Sequence, residues 1–283
     1  PFLNNDTMMA APPWTSIRDL EQASLQLEED GSDAEQLKWL NLLMAPGSSL
    51  GGARPKASVL DEKGNLWIAK FPSKNDDHDI GAWEMVVNEL ATKAGLDVAQ
   101  SMTGRFYSKQ HTFLTKRFDR KGNKRIHFAS AMTLLGYTDG NNHQSGVSYL
   151  DLAEFIIRHG ARVQEDLEEL WKRIVFYICV SNTDDHLRNH GFLLTHAGWK
   201  LSPAYDINPV EKAAGLSLNI SEKDNALDLD LALDVAPYFR VTLKKASDLI
   251  AAIKKTTTQW NKLASKMGIS RGEQERMAKA FRE

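Results

Sequence analysis

Two rhythms of apolar and polar positions divide the chain. Before residue 118 the apolar runs are short and bounded by turn residues, over 58–60, 66–71, 104–107 and 112–116, which is the signature of strands. Asp61-Glu62-Lys63-Gly64-Asn65 reads as the turn between the first two, and Ser108-Lys109-Gln110-His111 as the turn between the last two. Between these pairs, residues 81–94 fit an amphipathic helix stopped by Gly95, with Met85, Leu90 and Ala94 near one face and Glu84, Asn88 and Glu89 elsewhere. Beyond residue 118 helical spacing dominates. It predicts helices over 130–136, 148–160 and 164–181, the last carrying Leu167, Leu170, Ile174 and Ile178, and it is interrupted by a hairpin of 191–194 and 199–201 turned at His196-Ala197-Gly198. Strands first and helices afterwards predict an α+β chain with a site near the change. Residues 1–35 read as a loosely structured lead-in with a short helix over 16–28, and a helix over 34–44 is stopped by Pro46 and Gly47.

Length and composition narrow this picture modestly. The 283 residues can bury a substantial core and suit two lobes better than one small domain. A formal charge of −2 argues against binding nucleic acid through bulk electrostatics, although a local basic patch escapes such a count and a DNA-bound partner is compatible with it. The single cysteine, Cys179, lies in an apolar run and reads as a packing residue; alone, it cannot form a disulfide within the chain. No apolar stretch approaches the roughly 20 residues of a membrane span, and the first residues lack a signal-peptide pattern, so the expected location is cytoplasmic. The first residue, Pro1, fits a fragment or a processed product.

The candidate chemistry is concentrated in Ser181-Asn182-Thr183-Asp184-Asp185-His186-Leu187-Arg188-Asn189-His190-Gly191-Phe192, followed by Tyr205-Asp206-Ile207-Asn208-Pro209. An apolar run precedes this polar burst and another follows it, an arrangement that is costly unless the burst binds something. Asp184 and Asn189 have the five-residue spacing of the base aspartate and metal-binding asparagine of a protein-kinase catalytic loop. Asp206 is then available as a second oxygen ligand for magnesium. Two other readings stand beside this one. His186 and His190, four apart, could bind zinc, although Gly191 ends any helix there and no glutamate follows His186. Alternatively, the acids could simply cap a polar turn. Upstream, Gly47-Ser48-Ser49-Leu50-Gly51-Gly52-Ala53-Arg54-Pro55-Lys56-Ala57 is either a flexible turn or a loop whose backbone N–H groups and lysine approach phosphates. It fits neither the Walker A nor the dinucleotide pattern. Lys70 on its strand reads as solvent-facing when taken alone. The order glycine-rich loop, strand lysine and helix with glutamates is nevertheless that of a kinase small lobe, where the lysine holds phosphates and pairs with a helix glutamate.

Three stretches together resemble the HipA-like serine/threonine kinases, toxins of bacterial toxin-antitoxin systems. They are Asn182 to Asn189, Leu201 to Pro209, and Lys116-Arg117-Phe118-Asp119-Arg120. The resemblance runs from about Gly47 to the C-terminus. It implies a bilobal protein-kinase-like fold: a lead-in over 1–46, a strand-rich small lobe over 47–117 and a helical large lobe over 118–283. It also implies ATP- and Mg2+-dependent phosphorylation of a protein serine or threonine, with Asp184 as base, Asn189 and Asp206 as metal ligands, and Lys70 on the phosphates with Glu89, or Glu84 one turn earlier, as its ion-pair partner. Nucleotide binding then extends to Ser49, Gly51, Gly52, Ala53, Lys56, Lys116, Phe118 and His186, with Lys116 to Phe118 at the adenine-binding hinge. Autophosphorylation of Ser49, or of neighbouring Ser48, would eject the loop and silence the kinase. Gly51 stands where some members carry a second loop serine. The implied partners are a small DNA-binding antitoxin, through which alone DNA would be reached, and a protein substrate such as an aminoacyl-tRNA synthetase. Typical members carry about a hundred further residues ahead of the small lobe. Residues 1–46 are too few to hold them, which fits a truncated copy or a separate N-terminal-subdomain chain. Two alternative readings keep the fold: a lipid or small-molecule kinase, disfavoured by the lack of an obvious lipid-binding segment, and a catalytically degenerate binding module.

Overall fold

The computed structural model describes residues 11–28, 54–122 and 124–282. The helix expected over 34–44 and most of the glycine-rich loop lie outside them. The chain divides into two compact units, one ending at Met85 and resuming over Ala99–Lys124, the other comprising Val86–Val98 and the chain from Arg125 onward.

The first unit is built on an antiparallel sheet of β1 (Lys56–Leu60), β2 (Leu66–Lys70), β3 (Ser101–Gly104) and β4 (Thr112–Lys116), in the order β1-β2-β4-β3. Val59 lies opposite Trp67, Ala57 opposite Ala69, and Ala69 opposite Leu114. Because side chains alternate along a strand, these five share one face, and α1 (Ile17–Leu27) buries Ile17 and Leu20 in the same core. Helix α1 is therefore part of the packed core and no loose lead-in. The opposite face carries Lys56, Lys70 and Phe113, which are also register partners. Asp61 shapes the β1–β2 turn by accepting from the backbone N–H groups of Lys63 and Asn65 and from the indole of Trp67. The strand expected over 104–107 occurs three residues earlier. After Gly104 the chain leaves the sheet, and the ring of Phe106 turns back to within 3.0 Å of where a Gly104 Cβ would stand and packs against the core.

Helix α2 (Ile80–Lys93) is locked at its start. Asp79 accepts from the backbone N–H of Ala82 at 3.2 Å and of His111 at 2.9 Å, and its other oxygen meets His111 Nδ1 at 2.6 Å. A Cβ on Gly81 would lie 2.1 Å from the His111 carbonyl oxygen, so only glycine permits this approach.

The second unit is centred on one long, buried helix. Strand β7 (Phe128–Ser130) leads to α3 (Ala131–Leu135), capped by Ser130 and closed by left-handed Gly136. Helix α4 (Tyr149–His159) opens on a capping box of Ser148 and Asp151. Helix α5 (Val163–Val180) is buried around most of its circumference over its last turns, as a central helix must be. Cys179 belongs to this core, and burial pushes its thiol up to about 11, consistent with a packing role. Strands β8 (Gly191–Thr195) and β9 (Gly198–Leu201) join β7 in an antiparallel sheet ordered β7-β8-β9. Four later helices follow: α6 (Leu229–Val235), α7 (Leu243–Thr257), α8 (Trp260–Lys266) and α9 (Arg271–Met277). The chain then folds back onto the end of α5, with Arg282 N–H donating to the Cys179 carbonyl and Arg282 Nε to Ser181 Oγ. A short two-stranded ribbon pairs β5 (Arg120–Lys121) with β6 (Lys124–Arg125). No helix among the described residues is long and apolar enough to cross a membrane.

The Asp79 lock has a pH signature. Burial pushes the Asp79 carboxyl up, but the hydrogen bonds and charge of His111 outweigh it and hold the carboxyl below its ordinary value. A depressed carboxylate adds stability that is fully present above the unfolded pKa, about 3.9, and is lost as pH falls through the folded value. Asp79→Asn is therefore expected to lower stability at neutral pH by about 1–3 kcal/mol, with the gap to the parent narrowing below about pH 4. Urea unfolding at several pH values measures both.

Candidate active site

In the first unit the principal feature is a buried ion pair. Lys70 Nζ lies 2.6 Å from Glu84 Oε1, with the two residues 9% and 3% exposed. The ammonium also sits 5.5 Å from the centre of the Phe113 ring. The solvent-facing reading of Lys70 is thus overturned, since an ammonium this far from water needs a partner. The partner is Glu84 and not Glu89. Helix α2 is phased by the Asp79 lock so that Glu84, one turn in, meets β2; five residues further on, the helix has rotated roughly 140°. Lys56 occupies the Cα position opposite Lys70, so two lysines stand on one sheet face.

Arg54, towards the end of the glycine-rich stretch 47–57, is held by Asp76 through two bonds of 3.0 and 2.5 Å. Ser48, Ser49, Gly51, Gly52 and Ala53 lie outside the described residues. Lys116 ends β4 in register with Trp67, and Phe118 is half-buried. Beside it, Asp119 accepts from Arg117 Nε and Nη2 at 2.8 and 2.7 Å and also binds Arg120.

In the second unit, α5 ends at Ser181 in the left-handed region, φ 51°, and releases the catalytic-loop candidate. Asp184 is exposed, whereas Asp185 is 1% exposed. The Asn189 Nδ2 donates to the Asp184 carbonyl at 3.1 Å and closes the turn, which leaves the amide oxygen as the atom suited to a cation. Asp185 Oδ2 receives Tyr149 OH and faces His190 Nε2, both at 2.6 Å, and all three residues are buried. Burial first, and then the Asp185 charge, push the Tyr149 hydroxyl well above its ordinary range, so it stays protonated and donates. His190 is thereby engaged in loop support. His186 Nε2 faces Arg188 Nη2 at 3.2 Å, and Arg188 pairs in turn with Asp139. The two imidazoles expected as alternative zinc ligands thus face different partners, and a single 3-10 turn (Leu187–Asn189) separates them.

The second loop is tied to the first at three points. Tyr205 OH donates to the Arg188 carbonyl at 2.6 Å, Asn208 N–H to Asn182 Oδ1 at 3.1 Å, and Val210 N–H to the Ser181 carbonyl at 3.1 Å. Asp206 lies between these ties with φ 59°, a strained conformation for a residue other than glycine. Beneath the loop, buried Arg173 donates to the Ser202 carbonyl at 2.7 Å and to Glu169. The candidate ligands Asn189 and Asp206 carry oxygen donors of the kind a hard divalent cation takes, and Asn208 Oδ1, two residues after Asp206, is buried without a protein partner.

The HipA-like C-terminal domain family matches residues 48–282, more than half of the chain. The chain belongs to this family. A Haemophilus influenzae protein named "Putative kinase" is 28% identical over 180 residues, covering 56% of this chain and 52% of the relative. The chain thus spans about half the length of that curated relative. Two solved structures share the fold. HipA in the Shewanella oneidensis complex of HipA, HipB and operator DNA matches with a TM-score of 0.61 at 18% identity, over 82% of this chain and 62% of HipA. The Helicobacter pylori proinflammatory kinase CtkA matches with a TM-score of 0.50 at 15% identity, over 80% of this HipA-like chain and 92% of CtkA.

Glu84, Asp185 and Tyr149 escape a reading of spacing alone, because each acts through a partner on another element. The Asp185 network carries a test. Tyr149→Phe removes one of the two donors to Asp185 Oδ2 and is expected to cost about 1–3 kcal/mol of stability, measured by urea unfolding; an unchanged midpoint would mean that the hydroxyl is not needed.

Proposed function

We propose that this HipA-like chain is the catalytic portion of an ATP- and magnesium-dependent protein kinase, acting as a toxin on serine or threonine hydroxyls. The buried Lys70–Glu84 pair is the observation that carries the reading. A lysine held by a helix glutamate is the phosphate-binding device of protein kinases, and a purely structural role gives little reason to bury two charges on a sheet face. In this reading Lys70 binds phosphate oxygens of the nucleotide, with Lys56 as a second cation on the same face. Asp184, whose carboxylate is on an exposed residue, orients the acceptor hydroxyl and takes its proton. As the new bond to the hydroxyl oxygen forms, the bond between the γ-phosphorus and the ADP oxygen breaks. Asn189 and Asp206 would hold magnesium, which when bound neutralises charge on the phosphates. Lys116, Phe118 and His186 complete the nucleotide site. The Haemophilus influenzae relative's name and the kinase CtkA support the activity; HipA bound to HipB and operator DNA supports a small DNA-binding antitoxin as partner.

Two experiments test the reading. Asp184→Asn and Asp206→Asn should each lower transfer of labelled phosphate from ATP by roughly 10²-fold or more, and full activity in either purified variant would refute the assignment. The same reading makes Ser49, or Ser48, the site of self-silencing. Mass spectrometry after incubation with ATP and magnesium should find phosphate there, and phosphate found only at other positions would remove the self-silencing step.

A further inference from the structure

The ribbon of β5 and β6 is made entirely of cations. Arg120 and Lys121 form one strand, Lys124 and Arg125 the other. Whatever the register, every cross-strand pair therefore sets like charges opposite each other, an arrangement that is destabilising by itself. Lys121, Lys124 and Arg125 are exposed. Arg117 and Arg120 converge on Asp119, which is buried, and this fixes their position at the base of the ribbon. Residues 116–127 hold six cations and one acid, a net +5 in a chain whose total is −2. Such a separation of charge is a footprint for a polyanion.

We propose that this ribbon binds the phosphate backbone of a nucleic acid. Separate cations along an exposed ribbon match charges repeated along a strand better than they match one compact phosphate. A two-stranded ribbon can also lie in a groove of duplex nucleic acid, and Lys and Arg contacts to phosphate need no sequence code. The site is independent of phosphoryl transfer and uses none of Lys70, Asp184, Asn189 or Asp206.

Fluorescence anisotropy with the full chain tests this, using a labelled structured RNA and a labelled DNA duplex at salt concentrations from about 50 to 200 mM. With three to four phosphates engaged, log affinity should fall against log salt with a slope of about −3 on duplex DNA. The two probes distinguish RNA from DNA as the source of the phosphates, and binding to either supports the proposal if the variants behave as follows. The Lys121→Ala, Lys124→Ala, Arg125→Ala triple variant should lose at least roughly tenfold in affinity at low salt and most of the slope. It should unfold at the same or a higher temperature, because repulsion across the ribbon is relieved. The single Lys124→Ala variant should shrink the slope by about one, which reads the same contact if the triple variant unfolds early. A control, Lys63→Ala, Lys93→Ala, Lys109→Ala, changes the charge equally at exposed lysines elsewhere and should bind like the parent. The proposal is overturned if the parent binds neither probe at low salt, if the control loses as much as the ribbon variant, or if an acidic polypeptide such as polyglutamate binds while both nucleic acids do not.

Discussion

The carboxylate of Asp79 decides where α2 begins, and much of the first unit's chemistry follows from that choice. By receiving the N–H of Ala82 and two nitrogens of His111, it fixes both the phase of the helix and its distance from β4. Gly81 lets the two backbones close to a separation that no side chain would allow. The consequence appears one turn later, where Glu84 meets Lys70 at 2.6 Å on the neighbouring strand. Moving the helix start by one residue would rotate Glu84 by about 100° and leave an ammonium buried without its carboxylate.

The second unit uses the same device with different residues. Asp185 is a buried acid at a turn, and its charge is matched by a hydroxyl from α4 and an imidazole at the start of β8. It spans the turn that contains Asn189, while Asn189 reaches back to the Asp184 carbonyl. One side-chain bridge and one side-chain to backbone bond therefore close the same short loop from two sides. Three further bonds attach the loop around Asp206, so the exposed carboxylate of Asp184 rides on a backbone whose neighbours are fixed. The network holds the loop through Asp185 Oδ2, since Asp185 Oδ1 and His190 Nδ1 are buried without a hydrogen-bond partner.

Much of this was legible in the sequence, and the exceptions share a cause. Among the described residues, β1, β2, β4 and helices α1 to α5 follow the apolar rhythm, whereas β5, β6 and β7 are too short to show one. Asp184, Asn189 and Asp206 stand out because the spacing between them is itself the signal. Glu84 could not be separated from Glu89, since both lie on a helix whose phase is set by His111, some thirty positions away. Spacing gives Asp185 no role, because its partner Tyr149 lies on a different helix. The strand over Ser101–Gly104 was misread by three residues because Phe106 is apolar for packing against the core and not for pairing. Helices α6 to α9 had no distinctive motif to announce them.

Net charge says little about how charge is distributed along this chain. A total of −2 describes a nearly neutral surface only if cations and acids are mixed, and here they are not. Residues 116–127 hold six cations and, in sequence, the single acid Asp119, which is buried against Arg117 and Arg120. Because screening confines a charge's influence to about 8–10 Å at ordinary salt, an approaching partner senses the ribbon and not the sum. Local patterning, read with burial, is therefore the better guide to what this surface attracts.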